Sequence, residues 1–174
     1  MNAFPHHLNN LTARIARESD QEFMQQLYAA TRDDLRMIPG DPAFVTQLIA
    51  MQQQMQTAGY RNIYPNAEYW VIEHAGKPIG RIVLHITPAE IRVVDMAVLP
   101  EVRSKGFGTE VLRAIQKNAT ERKLSLALRV HHDNPRAQRL YAALGFVTTS
   151  SDDLSEQMQW RAALEDDRAP CPSS

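Results

Sequence analysis

Apolar and polar residues alternate along Leu11 to Arg17, and this two-residue period predicts a first strand. The period then lengthens. Asp20 is placed to cap a helix carrying Phe23, Leu27 and Ala30, and Arg32 to Pro42 follows as a connection ending in the break Pro39-Gly40-Asp41-Pro42. A second helix is predicted from Ala43 to Ala58, with Phe44, Leu48, Met51 and Met55 as its apolar stripe and Gly59 closing it. Gln47, Gln52, Gln53, Gln54 and Gln56 make its other face polar, and that face is expected to be solvated. Two β-rich runs, Glu68 to His74 and Pro78 to Ile86, are joined by Ala75-Gly76-Lys77 and predict an antiparallel hairpin. Thr87-Pro88-Ala89 turns the chain into a strand from Ile91 to Leu99, followed by a helix from Gly108 to Arg122 and a strand from Ser125 to Val130. Strand, helix and strand in this order predict a right-handed parallel crossover. A short helix is bounded by Asn134 as N-cap, Pro135 at its first position and Gly145 in a left-handed conformation at its end. Phe146 to Thr149, a polar break at Ser150-Ser151-Asp152-Asp153 and Ser155 to Ala162 complete the pattern.

With 174 residues the chain fits one domain, expected over residues 1–163, and the charged, proline-bearing segment 164–174 is expected to fray. Nineteen basic and twenty acidic side chains leave a net charge of −1, which disfavours nucleic acid as an obligatory partner. The single Cys171 supports neither a disulfide framework nor a thiolate metal site. No apolar run approaches the ~20 residues of a membrane span, so a cytoplasmic protein is expected.

The junction between the Ile91 strand and the Gly108 helix carries the strongest chemical signal. It reads Arg103-Ser104-Lys105-Gly106-Phe107-Gly108-Thr109. A helix start has unpaired N–H groups and a partial positive charge, Gly106 and Gly108 permit close backbone approach, and Arg103 and Lys105 add full charges. A diphosphate is the ligand this favours. The nucleoside-triphosphate loop is excluded because Thr109 stands where its lysine belongs, and the dinucleotide fingerprint because Val111 replaces its third glycine.

Downstream, Asn134-Pro135-Arg136-Ala137-Gln138-Arg139-Leu140-Tyr141-Ala142-Ala143-Leu144-Gly145-Phe146 places Ala137, Leu140, Tyr141 and Leu144 on one helix face. The arginine-x-x-glycine-x-glycine loop followed by this helix resembles the GCN5-related N-acetyltransferase superfamily, strongly over Ile91 to Phe146 and more loosely at Lys77 to Arg81. The resemblance implies an α/β fold with a mixed, mostly antiparallel central sheet flanked by helices, splayed where acetyl-coenzyme A enters. It also implies that the backbone of Met96, Ala97 and Val98 holds the pantetheine and polarises the thioester carbonyl, and that Arg103 to Thr109 holds the pyrophosphate. Asn134 then lies near the pantetheine and Tyr141 near the sulfur. The expected activity is N-acetylation of a primary amine by direct attack in a ternary complex, with no metal.

Each chemical role has a candidate. The Val98 N–H is placed to stabilise the oxyanion, and Tyr141 is a phenol able to protonate the departing thiolate. Asp95, a carboxylate inside an apolar strand, is either the base or the ionised partner of an arginine such as Arg92 or Arg129. Family members often carry a glutamate on one of these strands, where this chain has Arg92 and Arg129. His131 and His132 are neighbours at a strand exit, pointing to opposite faces, and are read as non-metal residues. Asp33, Asp34, Arg36, Tyr60 and Tyr64 lie in the segment that covers the acceptor cleft in the family. Two other functions stay open: a non-catalytic acyl-coenzyme A sensor, and a toxin that acetylates aminoacyl-tRNA. A homodimer is also left open.

Overall fold

The computed structural model describes residue 4 and residues 8–163. Its strands are β1 (Leu11–Ile15), β2 (Glu68–His74), β3 (Lys77–Ile86), β4 (Glu90–Val98), β5 (Ser125–His131), β6 (Val147–Ser151) and β7 (Ser155–Trp160). They form one sheet in the order β1-β2-β3-β4-β5-β7-β6. Every pairing is antiparallel except β4 with β5, the pair joined through a helix, as the crossover pattern predicts. The helices are α1 (Gln21–Ala30), α2 (Asp33–Arg36), α3 (Pro42–Ile63), α4 (Phe107–Arg122) and α5 (Pro135–Ala143). This is the mixed, mostly antiparallel α/β architecture expected from the sequence.

Local signals account for most element ends. Ala75 and Gly76, both at positive φ (49° and 74°), turn the β2–β3 hairpin, a backbone twist that matches the twist of its strands. Asn134 accepts from the Ala137 N–H at 3.1 Å and Gly145 is left-handed at φ 87°, so α5 is capped at both ends as predicted. The last two strands differ slightly from expectation. β6 extends through Ser150 and Ser151, and β7 stops at Trp160 rather than Ala162.

The main core lies on the sheet face packed by α4 and α5, where Trp70, Ile82, Leu84, Ile91, Leu126 and Leu128 meet Leu112 and Ile115. A smaller cluster of Tyr28, Leu35, Val45 and Ile49 joins α1, α2 and α3. That second cluster corrects the sequence reading of α3. Phe44, Met51 and Met55, expected to face the core, are exposed, and the buried positions are Val45 and Ile49. Gln52 and Gln56, expected in solvent, turn inward: Gln52 Oε1 accepts from Arg32 Nη1 at 2.5 Å, and Gln56 Oε1 is buried. Gln52 thus packs toward α1, whereas Gln56, one turn before Tyr60, lies over a sheet face that carries Arg81, Asp95, Tyr69 and His85, where a polar side chain is the better match. The helix also passes through Gly59 to Ile63 rather than stopping there. An interior glycine weakens a helix by only about 1 kcal/mol, which packing of the Tyr60 turn offsets.

Asp20 stands at the N-cap of α1 as expected, but its side chain is used elsewhere. Its side chain makes no cap bond to that helix; it accepts from the Arg17 N–H at 2.6 Å and from both Nη atoms of Arg14 at 2.8 Å. The hydrogen bond from Arg14, above all, lowers its pKa to about 2. A carboxyl lowered on folding stabilises the folded state above its unfolded pKa, and that contribution disappears as pH falls through the folded value. Asp20→Asn is therefore expected to cost about 2 kcal/mol at pH 6, shrinking toward zero near pH 2, as read by urea unfolding.

Among the described residues no helix is long and apolar enough to cross a membrane. The expected frayed segment, 164–174, lies outside them, as does Cys171.

Candidate active site

Pairing between β4 and β5 runs from Glu90↔Ser125 to Val93↔Leu128 and stops, although β4 continues to Val98 and β5 to His131. The two strands part there. At the same level Val94 bulges out of β4, because Val83 faces Asp95 while the next residue, Leu84, faces Val93. A bulge bends its strand and increases local twist, which opens the gap. Leu99 N–H donates to Ile79 O at 2.9 Å, toward β3. Amide directions alternate along a strand, so the N–H and C=O of Val98 face the opposite, open edge. Arg103 Nε donates to that Val98 carbonyl at 3.3 Å, tying the following loop to the end of the strand.

The loop then makes two left-handed turns, at Ser104 (φ 64°) and Gly106 (φ 82°), and α4 begins at Phe107. No side chain caps this helix, and its first backbone bond runs from Glu110 N–H to Gly106 O at 3.0 Å. The amides of Phe107, Gly108 and Thr109 therefore precede the helical bonding pattern and point at the open N-terminus. A Cβ built on Gly106 would have no atom within 4 Å. Gly108 differs from the sequence reading: it is helical, wedged beside Leu140 and Met96, and only Gly106 of the pair needs positive φ. Phe107 anchors the turn against the His74 ring at 4.9 Å between centroids. Arg136 Nη2 donates to Ser104 Oγ at 3.1 Å, bringing a third cation to Arg103 and Lys105. A cleft of about 720 Å³ continues from Gly106 and Thr109 along the outer flank of α4 past Arg113 and Lys117.

From α5, Tyr141 is buried and its ring packs on Phe146 at 5.8 Å. Burial, and then the charge of Asp95, push its phenol up to about 12, so it stays protonated through the neutral range. Asn134 spends its side-chain oxygen on the helix cap, leaving its Nδ2 without a protein partner among the described residues.

Asp95 is paired, but with neither arginine considered from sequence. Arg81, only 6% exposed, donates through Nε at 3.0 Å and also through Nη2, both to Asp95 Oδ2. The carboxylate's Oδ1 is left without a protein partner among the described residues. Arg92 instead meets Glu90 at 3.1 Å and Gln157 at 3.2 Å, while Arg129 meets Ser155 at 2.5 Å and Asp152 at 3.0 Å. Arg81 stands directly opposite Ala97 on β3, fourteen positions from Asp95 in sequence, and no local pattern links them.

The segment expected over the acceptor cleft divides. Tyr60 is desolvated beside Asp95, which raises its phenol pKa, and Tyr64 stacks obliquely on His85 at 5.1 Å. Asp34 is held by Arg32 at 2.8 Å, and Arg36 lines a separate cleft between α1 and α3. His132 Nε2 lies 2.8 Å from the Asp152 carbonyl. Sequence reading missed Arg81, Arg136, Tyr69 and His85. A signal existed only for Arg136, a basic residue in the first turn of the α5 helix.

Several solved structures share this architecture. The PaiA N-acetyltransferase of Thermoplasma acidophilum, crystallised with coenzyme A, superposes with a TM-score of 0.66 at 15% identity, over 87% of this chain and 99% of that one. Ard1 of Thermoplasma volcanium gives 0.61 at 22% identity, over 89% and 99%. The ribosomal-protein-S18-alanine N-acetyltransferase of Escherichia coli gives 0.64 at 15%, over 91% and 98%. No curated protein sequence matches the chain significantly. A sequence profile of the acetyltransferase (GNAT) family matches residues 23–146, a span that runs from α1 through the loop 103–109 and past the end of α5, and the chain belongs to that family.

Proposed function

We propose that this enzyme, over one domain spanning residues 1–163, transfers the acetyl group of acetyl-coenzyme A to a primary amine by direct attack within a ternary complex. The observation that carries this is the continuity of the open β4 edge with the uncapped start of α4. The N–H groups of the cradle, with Arg103, Lys105 and Arg136 around them, suit the pyrophosphate; the backbone of Met96, Ala97 and Val98 suits the pantetheine, with Asn134 Nδ2 as a further donor. The Val98 N–H aims a donor where the thioester oxygen gains charge. As the amine nitrogen bonds to the carbonyl carbon, the carbon–sulfur bond breaks, Tyr141 gives its proton to sulfur, and the nitrogen's proton leaves through water toward Asp95 Oδ1. An amine that arrives as an ammonium gives its extra proton to solvent before attack, so the attacking nitrogen is neutral; Asp95 Oδ2 stays bonded to Arg81, leaving Oδ1 for the proton released afterwards.

Thiol release from acetyl-coenzyme A across a broad amine library tests this. Turnover of at least one amine is expected; tight coenzyme binding with no turnover would instead make the protein an acyl-coenzyme A sensor. Tyr141→Phe is expected to lower kcat by about 100-fold or more with coenzyme affinity retained. An unchanged kcat would remove Tyr141 as the acid.

A further inference from the structure

The sheet face under α3 carries more polar chemistry than acetyl transfer requires. Tyr69 stands opposite Val83, and Val83 opposite Asp95. Arg81 and His85 lie two residues to either side of Val83, so Tyr69, Arg81, His85 and Asp95 share one face of the sheet. Tyr64 stacks on His85, Tyr60 sits in the field of Asp95, Arg81 and Tyr69, and Gln56 is one helical turn before Tyr60. Within this group Gln56 Oε1, Tyr69 OH and His85 Nδ1 are buried with no hydrogen-bond partner. Folded proteins retain few such atoms, because each loses its hydrogen bonds to water without replacement. Tyr69 and His85 lie on the sheet face that carries Asp95, itself on the strand with the proposed thioester site, and Gln56 lies on the helix beside it.

Their chemistry restricts what would satisfy them. A glutamine carbonyl oxygen can only accept, so it needs an N–H or O–H from a ligand; a phenol and an imidazole nitrogen can each donate or accept. An alkylamine or arylamine would leave all three unpaired. An amine with hydroxyl or amide groups a few bonds from its nitrogen would pair them, with its neutral nitrogen toward Asp95 Oδ1.

We infer that Gln56, Tyr69 and His85 are specificity-determining contacts that select a primary amine bearing its own hydrogen-bonding groups close to the reacting nitrogen. This rests on the acetyl-transfer function proposed above. Amino-acid amides and amino sugars both present the required groups.

The test compares kcat/KM for serinamide and glucosamine with that for butylamine and benzylamine, in the native enzyme and in Tyr69→Phe and Gln56→Met. A preference for the polar amines of about 100-fold or more is expected, since a site built to hydrogen-bond strongly rejects analogues that cannot. Whichever polar amine is used better identifies the source of the chemistry. Each variant should cut the preference by about 10-fold or more. Tyr69→Phe should at the same time raise the melting temperature by about 2–4 °C, because an unpaired buried hydroxyl is gone. A hydroxyl with a purely structural role would not give this opposite movement of stability and selectivity. Equal use of polar and apolar amines, or an unchanged preference in both variants, would overturn the inference while leaving acetyl transfer intact. Bound coenzyme with no turnover of any amine would overturn both.

Discussion

Replacing Gly106 with valine is expected to weaken acetyl-coenzyme A binding by about 100-fold or more, through loss of at least two charge-assisted hydrogen bonds to the pyrophosphate. Two independent effects act at this residue. At φ 82° any other residue is strained, and a β-branched one most of all, so the turn relaxes away from the conformation that gathers the amides. The space a Cβ would enter is free of protein atoms, so a side chain that did keep the turn would stand in the anion's place. The fold should survive, because Gly106 touches no core residue there and left-handed strain at one position costs about 1–3 kcal/mol. Calorimetric titration with acetyl-coenzyme A reads the affinity and thermal unfolding reads the fold. Unchanged affinity in the folded variant would refute the cradle. Gly108→Ala makes a contrast: it is helical, with ordinary contacts at 3.6 Å and beyond for a new Cβ, and should be far milder.

Arg81→Met is expected to destabilise the protein by about 3 kcal/mol, the largest effect of any single change considered. The arginine is buried, and both its bonds end on one oxygen of Asp95, whose side chain is itself only 19% exposed. Removing the cation leaves a carboxylate in a mostly closed site with no compensating charge. Removing both charges should be milder, so the double change Arg81→Met with Asp95→Leu is expected to recover part of the loss. Urea unfolding at neutral pH measures all three proteins. A loss below about 1 kcal/mol for Arg81→Met would mean that the pair contributes no more than a surface ion pair does. Asp95→Asn separates stability from chemistry: a displaced pH profile of turnover supports proton collection by Asp95, whereas lost stability with an unchanged profile restricts it to holding Arg81.

Much of the fold was legible because its signals are local. The Ala75-Gly76 turn, the Asn134-Pro135 start and Gly145 end of α5, and the strand-to-helix passage through Gly106 each depend on backbone geometry set within a few residues. The uncapped start of α4 was readable for the same reason: it is a matter of main-chain amides after a glycine turn. Where a helix face pointed was less legible. The α3 stripe of Phe44, Met51 and Met55 has a correct helical period, yet it faces solvent: the packed face carries Val45 and Ile49, Gln52 reaches Arg32 beside α1, and Gln56 Oε1 is buried.

By itself, then, the sequence determined the order of elements, the α/β class, the glycine turn ahead of α4 and the apolar helix face that carries Tyr141, all encoded by short-range periodicity and turn chemistry. Only the tertiary structure decided the partner of Asp95, the inward face of α3 and the placing of Tyr69 and His85 on the sheet face of Asp95. Those depend on sheet register and on the bulge at Val94, which bring together residues distant in the chain. Such contacts form only when the whole sheet does, and no window of neighbouring residues contains them.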